Sequence, residues 1–414
     1  MTKPQPDLMA SPLRPWAIAF LLLATLLTFA WYFGQAWHLD EEGLSTFSGK
    51  VPYWDFSNLW GGARLALSGH VDALFDLDRY HAMMTDLLQA PANDQEWSYP
   101  PSILLLGAPF ALLPIWLAYA LWTGLTIAAL ALSLTAFSLS RTALLLAIAS
   151  PAVALNAALG QNGALMAALL IGGLSLADRR PIIAGILIGL MCIKPHLAML
   201  VPFAMIASGN WRSVFAAALT VLAVVAASLL AFGVDAWVQF MSFTRPLMVA
   251  ILEAPYGQSY QINGTSVFLL ARSLGASVPL SYGAQIVSAL FAIVLTVRLW
   301  HSPCADPRPR IAATAVLTIL ATPYEWSYDL VLLAGPLAWL IADRPTHRWI
   351  VVLAWTWPLL TFFVTFITSS PLAPLILWPV AALCYQMTRD EQRASGEESR
   401  RMTEGRTMSA LSPS

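Results

Sequence analysis

The chain has very little charge: 11% of its 414 residues are Asp, Glu, Lys or Arg, while 58% are hydrophobic. That balance excludes an ordinary soluble domain, and the apolar stretches lack the alternation of a membrane β-barrel. The formal net charge is −1, so there is no excess of basic side chains of the kind that binds nucleic acid. The sequence therefore predicts an all-α, polytopic membrane protein with no nucleic-acid partner.

Cysteine is scarce as well. Cys192, Cys304 and Cys384 lie far apart without C-x-x-C spacing, which favours neither a disulfide framework nor a metal site. The sequence has no P-loop, no G-x-S-x-G and no H-E-x-x-H, so the usual grounds for nucleotide hydrolysis, a serine hydrolase or a zinc protease are missing. The first apolar run ends in Trp31-Tyr32 rather than at a small-residue cleavage site, and we interpret it as a retained span.

The chain is rich in apolar segments of helical length, and we predict about twelve spans in one transmembrane unit over residues 1–388. Pro109 and Pro114 predict a short or re-entrant segment followed by a full span. The predicted spans lie at 15–34, 100–137 (in two parts), 142–157, 163–177, 181–193, 196–208, 213–233, 279–299, 311–322, 328–342, 349–368 and 372–388.

Two polar segments, 35–98 and 234–278, interrupt the apolar pattern. Helical apolar spacing in the first of them predicts short amphipathic helices at 59–68 and 77–88. Most of the 22 Lys and Arg residues fall on segments that share a side with both termini, which predicts cytoplasmic termini and places both polar segments outside. The tail 389–414 is rich in Glu, Arg and Ser, and we predict that it is cytoplasmic and disordered.

Asp55 lies in an aromatic stretch of the first polar segment, between Trp54 and Phe56. An acid among aromatic rings at a membrane surface is placed to meet both a sugar hydroxyl and a lipid headgroup. Asp55 is therefore the candidate catalytic carboxylate. The alternative is a solvated loop acid, or the cap of a short helix that begins near Asn58.

Lys194 sits between two short apolar helices, directly before Pro195. A Lys in a transmembrane segment costs about 2.5 to 3.5 kcal/mol and usually faces a cavity or a partner. A lipid phosphate is one such partner, and the alternative is an ammonium that snorkels to the headgroups. Arg245 is a second candidate ligand for the phosphate. The alternative is that it is an ordinary solvated Arg in a loop.

Amides and aromatic rings recur in other polar segments, a composition that suits carbohydrate. Each has a structural alternative: a tight turn at 160–163, a hydrogen-bonded structural His196, a chance glycosylation pattern at 263–265, and Asp329 as a helix cap. The candidates for contact with sugar or acceptor are Asn58, Trp60, Gln161, Asn162, His196, Asn263, Glu325 and Tyr328.

Several of these motifs occur in a familiar order. They are DFSNLWGGARLALSG from Asp55, ALFD from Ala73, WSYPP from Trp97, GQNG from Gly160, KPH from Lys194 and YDL from Tyr328. The set resembles glycosyltransferase family 87, over roughly residues 16–388. The resemblance implies a GT-C-like bundle in a bacterial plasma membrane, and Asp55 matches the catalytic Asp that such enzymes carry early in their first outer loop.

The resemblance also implies an activity: inverting transfer of a sugar, typically mannose or arabinofuranose, from a polyprenyl-phosphate lipid to a glycan or glycolipid acceptor on the outer face. Asp55 would act as general base, with Lys194 and Arg245 at the departing phosphate. The scheme needs no metal and no cofactor besides the donor lipid. A secondary transporter of polar solutes is the rival class, although no internal repeat is recognisable, and a lipid-binding protein without catalysis is a third. Oligomeric state does not follow from the sequence.

Overall fold

The computed structural model describes residues 14–92, 95–344 and 348–411. Within these ranges the chain is helical, with two isolated β-bridges. In chain order the α-helices are α1 (Pro15–Ala36), α2 (Asp55–Leu67), α3 (Leu77–Leu88), α4 (Ile103–Ala111), α5 (Ile115–Ala136), α6 (Arg141–Ile148), α7 (Pro151–Leu159), α8 (Gly163–Leu176), α9 (Pro181–Leu190), α10 (Val201–Ala207), α11 (Trp211–Phe232), α12 (Val234–Gln239), α13 (Arg245–Glu253), α14 (Val267–Ser273), α15 (Val278–Trp300), α16 (Arg308–Ala321), α17 (Ala334–Ala342), α18 (Arg348–Thr368) and α19 (Ala373–Leu411).

Several of these helices are long and apolar enough to cross a membrane. In the described part of the chain there are six: Pro15–Ala36, Ile115–Ala136, Arg141–Leu159, Trp211–Phe232, Val278–Trp300 and Trp349–Thr368. Shorter apolar helices cover Gly163–Leu176, Pro181–Ile193, Pro195–Ala207 and Ser327–Ala342. The all-α, polytopic membrane class is confirmed. The total of about twelve spans stays a prediction, because the shorter apolar helices have fewer residues than a membrane crossing usually needs.

Local sequence signals explain many helix ends. α4 stops at Ala111 and α5 starts directly after Pro114, which confirms a short segment followed by a span-length helix. Ser140 and Ser150 cap α6 and α7 by accepting backbone N–H groups, as Ser does at helix N-termini. α3 has the predicted bounds, while α2 starts at Asp55 rather than at residue 59.

The structure differs from the sequence-based prediction in two segments. Residues 234–278, predicted as a loop, contain α12, α13 and α14, with a π-helical turn at Phe240–Thr244. Pro246 follows that turn, and because proline has no N–H the regular hydrogen-bond ladder is interrupted beside it. The chain after Arg389, predicted to be disordered, continues α19 to Leu411, since its Glu, Arg, Met and Ala residues favour helix even without packing.

The centre of the bundle is formed by helices that are buried on nearly all sides. Almost every residue of α8 and α17 is buried, as is α16 from Pro309 to Ala321. A helix that is apolar all round belongs inside a bundle. The turn before α8 and the segment after α16 carry the candidate site residues, so the core fixes where these connections lie.

Close packing between α9 and α11 sets the position of the chain that leads to Lys194. A Cβ atom at Gly185 would lie 2.4 Å from the carbonyl oxygen of Ser213 and 2.5 Å from the Cβ of Ala216. At Gly189 the nearest atoms would be Thr220 Cβ and the Ala217 carbonyl oxygen. Small residues let membrane helices approach this closely, and here the obstacle is the backbone itself.

Replacing Gly185 with Ala is therefore expected to destabilise the protein by about 1 to 3 kcal/mol, the usual cost of overpacking. Thermal unfolding in detergent measures the effect. Gly124→Ala is the matched control, because a Cβ there meets nothing within 4 Å. Equal melting temperatures for the two variants would contradict the close approach of α9 and α11.

Candidate functional site

Asp55 is the first residue of α2, and its half-buried side chain lies in the first turn. The N-terminal end of a helix carries a partial positive charge, which favours a carboxylate there. The preceding residue, Trp54, has a φ of 45°, a conformation that costs a bulky residue about 1 to 3 kcal/mol. The Lys50 ammonium lies 5.5 Å from the Trp54 ring centroid and helps to hold this strained entry to the helix.

A hydrogen-bonded chain orients the Asp55 carboxylate. Gln161 Nε2 donates to Asp55 Oδ2 at 2.8 Å, and the Tyr99 hydroxyl lies 3.4 Å from Gln161 Oε1 as its donor. Gly160 allows the turn to bring the Gln161 side chain to Asp55. Its φ is 62°, and a Cβ atom at this position would come within 2.4 Å of Phe56 Cβ. The 160–163 turn therefore packs against the start of α2, and Gln161 contacts the candidate base.

Tyr99 is buried within electrostatic range of two acids. Burial raises the pKa of the Tyr99 phenol well above its usual range, and the charges of Asp55 and Asp329 raise it further. Tyr99 therefore remains a neutral hydrogen-bond donor at ordinary pH. The turn that holds Asp55 also packs against the segment of Asp329, since a Cβ at Gly163 would lie 3.2 Å from the Tyr328 carbonyl oxygen. Asp55 and Asp329 therefore belong to one neighbourhood.

Lys194 is buried and pairs with Asp329. Its Nζ donates to Asp329 Oδ1 at 2.5 Å, with side-chain exposures of 7% for Lys194 and 0% for Asp329. The ammonium also lies 5.1 Å from the centroid of the Tyr328 ring. The snorkelling alternative is wrong, since the ammonium is paired inside the protein, and Asp329 is the partner of Lys194 rather than a simple helix cap.

An aromatic group adjoins this ion pair. The Tyr324 ring lies 5.9 Å from the ring of His196 and 5.6 Å from that of Trp326. Burial raises the pKa of Tyr324, which the charges of Asp329, Asp55 and Glu96 raise further. Tyr324 therefore lies within electrostatic range of Asp55 and Asp329.

The two phosphate candidates differ in position. Arg245 is exposed and begins α13, three residues before Met248, whose sulfur contacts the Tyr324 hydroxyl at 3.4 Å. Arg245 therefore lies within one helical turn of that contact, on the exposed side of the helix. It is a candidate at the rim, whereas Lys194 lies inside.

Asn58 and Trp60 hold the first polar segment together. Asn58 Nδ2 donates to the Glu96 carbonyl at 2.7 Å, and Asn58 Oδ1 accepts from the Tyr80 hydroxyl. Trp60 is buried and its Nε1 donates to the Leu113 carbonyl at 3.0 Å. Their polar groups are engaged within the protein, which gives these two residues a structural part, and their contact with sugar stays a prediction.

The remaining predicted contacts are divided between surface and interior. Asn263 is exposed and accepts from the Ser327 hydroxyl at 3.4 Å. Asn162 is buried, and within the described chain its Oδ1 has no hydrogen-bond partner, nor does Nε2 of His196. Tyr328 lies over Lys194, and Glu325 is fully buried beside Asp329. All five stay candidates for substrate contact.

Sequence reasoning missed the roles of Tyr99 and Asp329 at this site. A signal existed for Asp329, because an acid inside an apolar helical segment needs a partner, and Lys194 was the matching unexplained cation. Tyr99 gave no such signal, since a Tyr beside two prolines is ordinary loop sequence.

The family comparison agrees with this picture of a polytopic membrane transferase. Residues 97–323, more than half of the chain, match the sequence pattern of glycosyltransferase family 87. The protein is a membrane glycosyltransferase, and it belongs to glycosyltransferase family 87. Neither a comparison with curated proteins nor one with solved structures finds a match.

Proposed function

We propose that the enzyme transfers mannose from a polyprenyl-phosphate donor to a glycan or glycolipid acceptor at the outer face of the plasma membrane, with inversion at the anomeric carbon. The observation that carries the proposal is that the 160–163 turn holds the Asp55 carboxylate through Gln161 and packs against the segment of Asp329, the partner of Lys194. It brings together a base and a cation, the two groups that displacement of a lipid phosphate requires. Asp55 and Asp329 lie outside the matched range 97–323, so their roles rest on geometry.

In this mechanism Asp55 takes the proton of the acceptor hydroxyl as that oxygen attacks the anomeric carbon. The bond between the anomeric carbon and the phosphate oxygen breaks, and its electron pair leaves with the lipid phosphate. Lys194 stabilises the departing phosphate with N–H groups not used on Asp329, and Arg245 approaches it from the rim. A buried cation stabilises developing negative charge more strongly than an exposed one.

In this proposal the sugar is recognised by the groups around Asp55 and Lys194. The rings of Tyr324, Tyr328 and His196 offer faces for the C–H side of a pyranose. Asn162, whose side-chain oxygen lacks a partner within the described chain, and the exposed Asn263 offer amides for hydroxyls. Glycan chemistry at a membrane surface needs both kinds of contact.

The test is transfer of radiolabel by purified protein in lipid nanodiscs. Polyprenyl-phosphate mannose and polyprenyl-phosphate arabinofuranose are supplied in parallel with candidate acceptors, and Asp55→Asn serves as the blank. The proposal predicts label in the acceptor from the mannosyl donor alone. Transfer from the arabinofuranosyl donor alone would change the sugar but keep the mechanism. Folded enzyme that transfers neither sugar would contradict the proposal and leave a transporter or lipid-binding role.

Gln161 is expected to act as a positioning residue for Asp55. Replacing Gln161 with Leu removes the 2.8 Å hydrogen bond to Asp55 Oδ2, and we expect turnover to fall about 10-fold or more, since small misplacements of a catalytic group are costly. KM for the donor should change little, because the contact is to the base. Tyr99→Phe, which removes the longer bond to Gln161, should have a smaller effect in the same direction. A rise in KM at constant turnover would instead assign Gln161 to substrate binding.

A further inference from the structure

Glu325 is the least explained ionisable group in the described structure. Its side chain is fully buried, and both carboxyl oxygens lack a hydrogen-bond donor among the described residues. Burying an ionised carboxylate without a partner is far more costly than burying a neutral acid. The protonation state of Glu325 therefore needs an explanation.

Backbone contacts fix the main chain on both sides of Glu325. Its carbonyl accepts from the Thr265 N–H at 3.0 Å, and the next residue, Trp326, forms a β-bridge with Gly264. These contacts fix the chain between α16 and the 3-10 turn at Ser327–Leu333. The Glu325 side chain is fully buried four residues before that of Asp329, whose Oδ2 is buried and also lacks a partner among the described residues, and the two carboxyl groups are hydrogen-bonding neighbours.

Two carboxyl groups in contact form a hydrogen bond only when one of them carries a proton. Lys194 donates to Asp329 Oδ1 and so favours a negative charge on Asp329. The proton of the pair then resides on Glu325, whose pKa is raised well above its usual range by burial and by the charge of Asp329. Asp329 Oδ2, which has no other partner among the described residues, is the natural acceptor.

We propose that Glu325 is a neutral carboxylic acid that donates a hydrogen bond to Asp329, and that this bond releases part of Lys194 for the donor phosphate. The inference rests on the proposed function. With Oδ2 satisfied by Glu325, Asp329 uses one N–H of the ammonium and leaves the others for phosphate oxygens. A neutral Glu325 also avoids a third carboxylate near the donor, beside Asp55 and Asp329. In this proposal Glu325 acts through Asp329 and Lys194 as a positioning residue, a role that replaces the contact with sugar or acceptor expected from the sequence.

Infrared spectroscopy of the donor-free protein tests the protonation state. We expect the carbonyl-stretch band of a protonated carboxyl group at neutral pH, shifted in D2O and absent from Glu325→Gln. Absence of such a band, or a band that Glu325→Gln retains, would overturn the proposal. Because no donor is present, this result is independent of whether the enzyme transfers a lipid-linked sugar.

Two substitutions test the consequence for the donor. Glu325→Gln supplies an N–H donor in place of the acid, and we expect binding of polyprenyl phosphate and turnover within about threefold of the unmodified enzyme, the size of one neutral hydrogen bond. Glu325→Leu supplies no donor, so Lys194 must satisfy both Asp329 oxygens, and phosphate binding should weaken about 10- to 100-fold, as for a buried group left unsatisfied. Melting temperatures of both variants show whether each is folded. Weak phosphate binding by folded Glu325→Gln would mean that an ionised Glu325 is needed, and would overturn the proposal.

Discussion

Replacing Asp55 with Asn is expected to lower the rate of sugar transfer about 10²- to 10⁴-fold, the usual contribution of a general base. The Asn side chain keeps an oxygen that accepts from Gln161 Nε2, so the contact between α2 and the 160–163 turn survives. It has no basic oxygen that takes a proton from an acceptor hydroxyl. The rate of a single turnover with bound donor is the measurement, since it isolates the chemical step.

Asp78→Asn is the matched control for this variant. Asp78 is an exposed acid in the first turn of α3, within the same polar segment as Asp55. The Asp78→Asn variant should transfer sugar at the rate of the unmodified enzyme. Equal loss of activity in both variants would point to a general charge effect on the segment, and full activity of Asp55→Asn would remove Asp55 from the mechanism.

The second large effect is expected at the Lys194–Asp329 pair. Replacing only Lys194 with Met leaves the Asp329 carboxyl buried without its cation, which should cost about 3 to 5 kcal/mol of stability. Asp329→Asn alone leaves the Lys194 ammonium buried without its anion, with a similar penalty. Either single variant is expected to melt at a clearly lower temperature in detergent.

The double variant Lys194→Met with Asp329→Asn separates stability from function. It removes both charges at once, and replacing a buried ion pair with neutral side chains is often close to neutral in stability. We expect it to melt near the temperature of the unmodified enzyme and yet to lose binding of polyprenyl phosphate. Retained phosphate binding in the folded double variant would exclude Lys194 as the phosphate ligand.

Local chemistry made much of the fold predictable. Pro114 separates α4 from α5, whereas Pro109 lies inside α4. Helical apolar spacing located α3. These features depend on neighbours within a few residues. The helices of 234–278 were missed because a polar and aromatic composition is read as loop, although short helices with one apolar face have the same composition.

The site was predictable only in part, for a different reason. Asp55, Gln161 and Lys194 stood out as polar residues in an apolar chain, and the structure brings them to one neighbourhood. Their partners come from far along the sequence: Gln161 is 106 residues from Asp55, and Asp329 is 135 residues from Lys194. No periodicity carries information over such separations. For the same reason the sequence did not show that the Asn58 amide is already hydrogen-bonded. Its Nδ2 donates to the Glu96 carbonyl, and its Oδ1 accepts from the Tyr80 hydroxyl.

The most direct test compares donor binding with transfer in the same protein samples. Equilibrium binding of polyprenyl phosphate and release of labelled sugar to acceptor are measured for the unmodified enzyme, Asp55→Asn, and the Lys194→Met, Asp329→Asn double variant. Our account predicts that Asp55→Asn binds lipid phosphate normally without transferring sugar, and that the folded double variant does not bind it. Transfer by Asp55→Asn, or normal phosphate binding by the double variant, would contradict the assignment of base and cation to one transferase site.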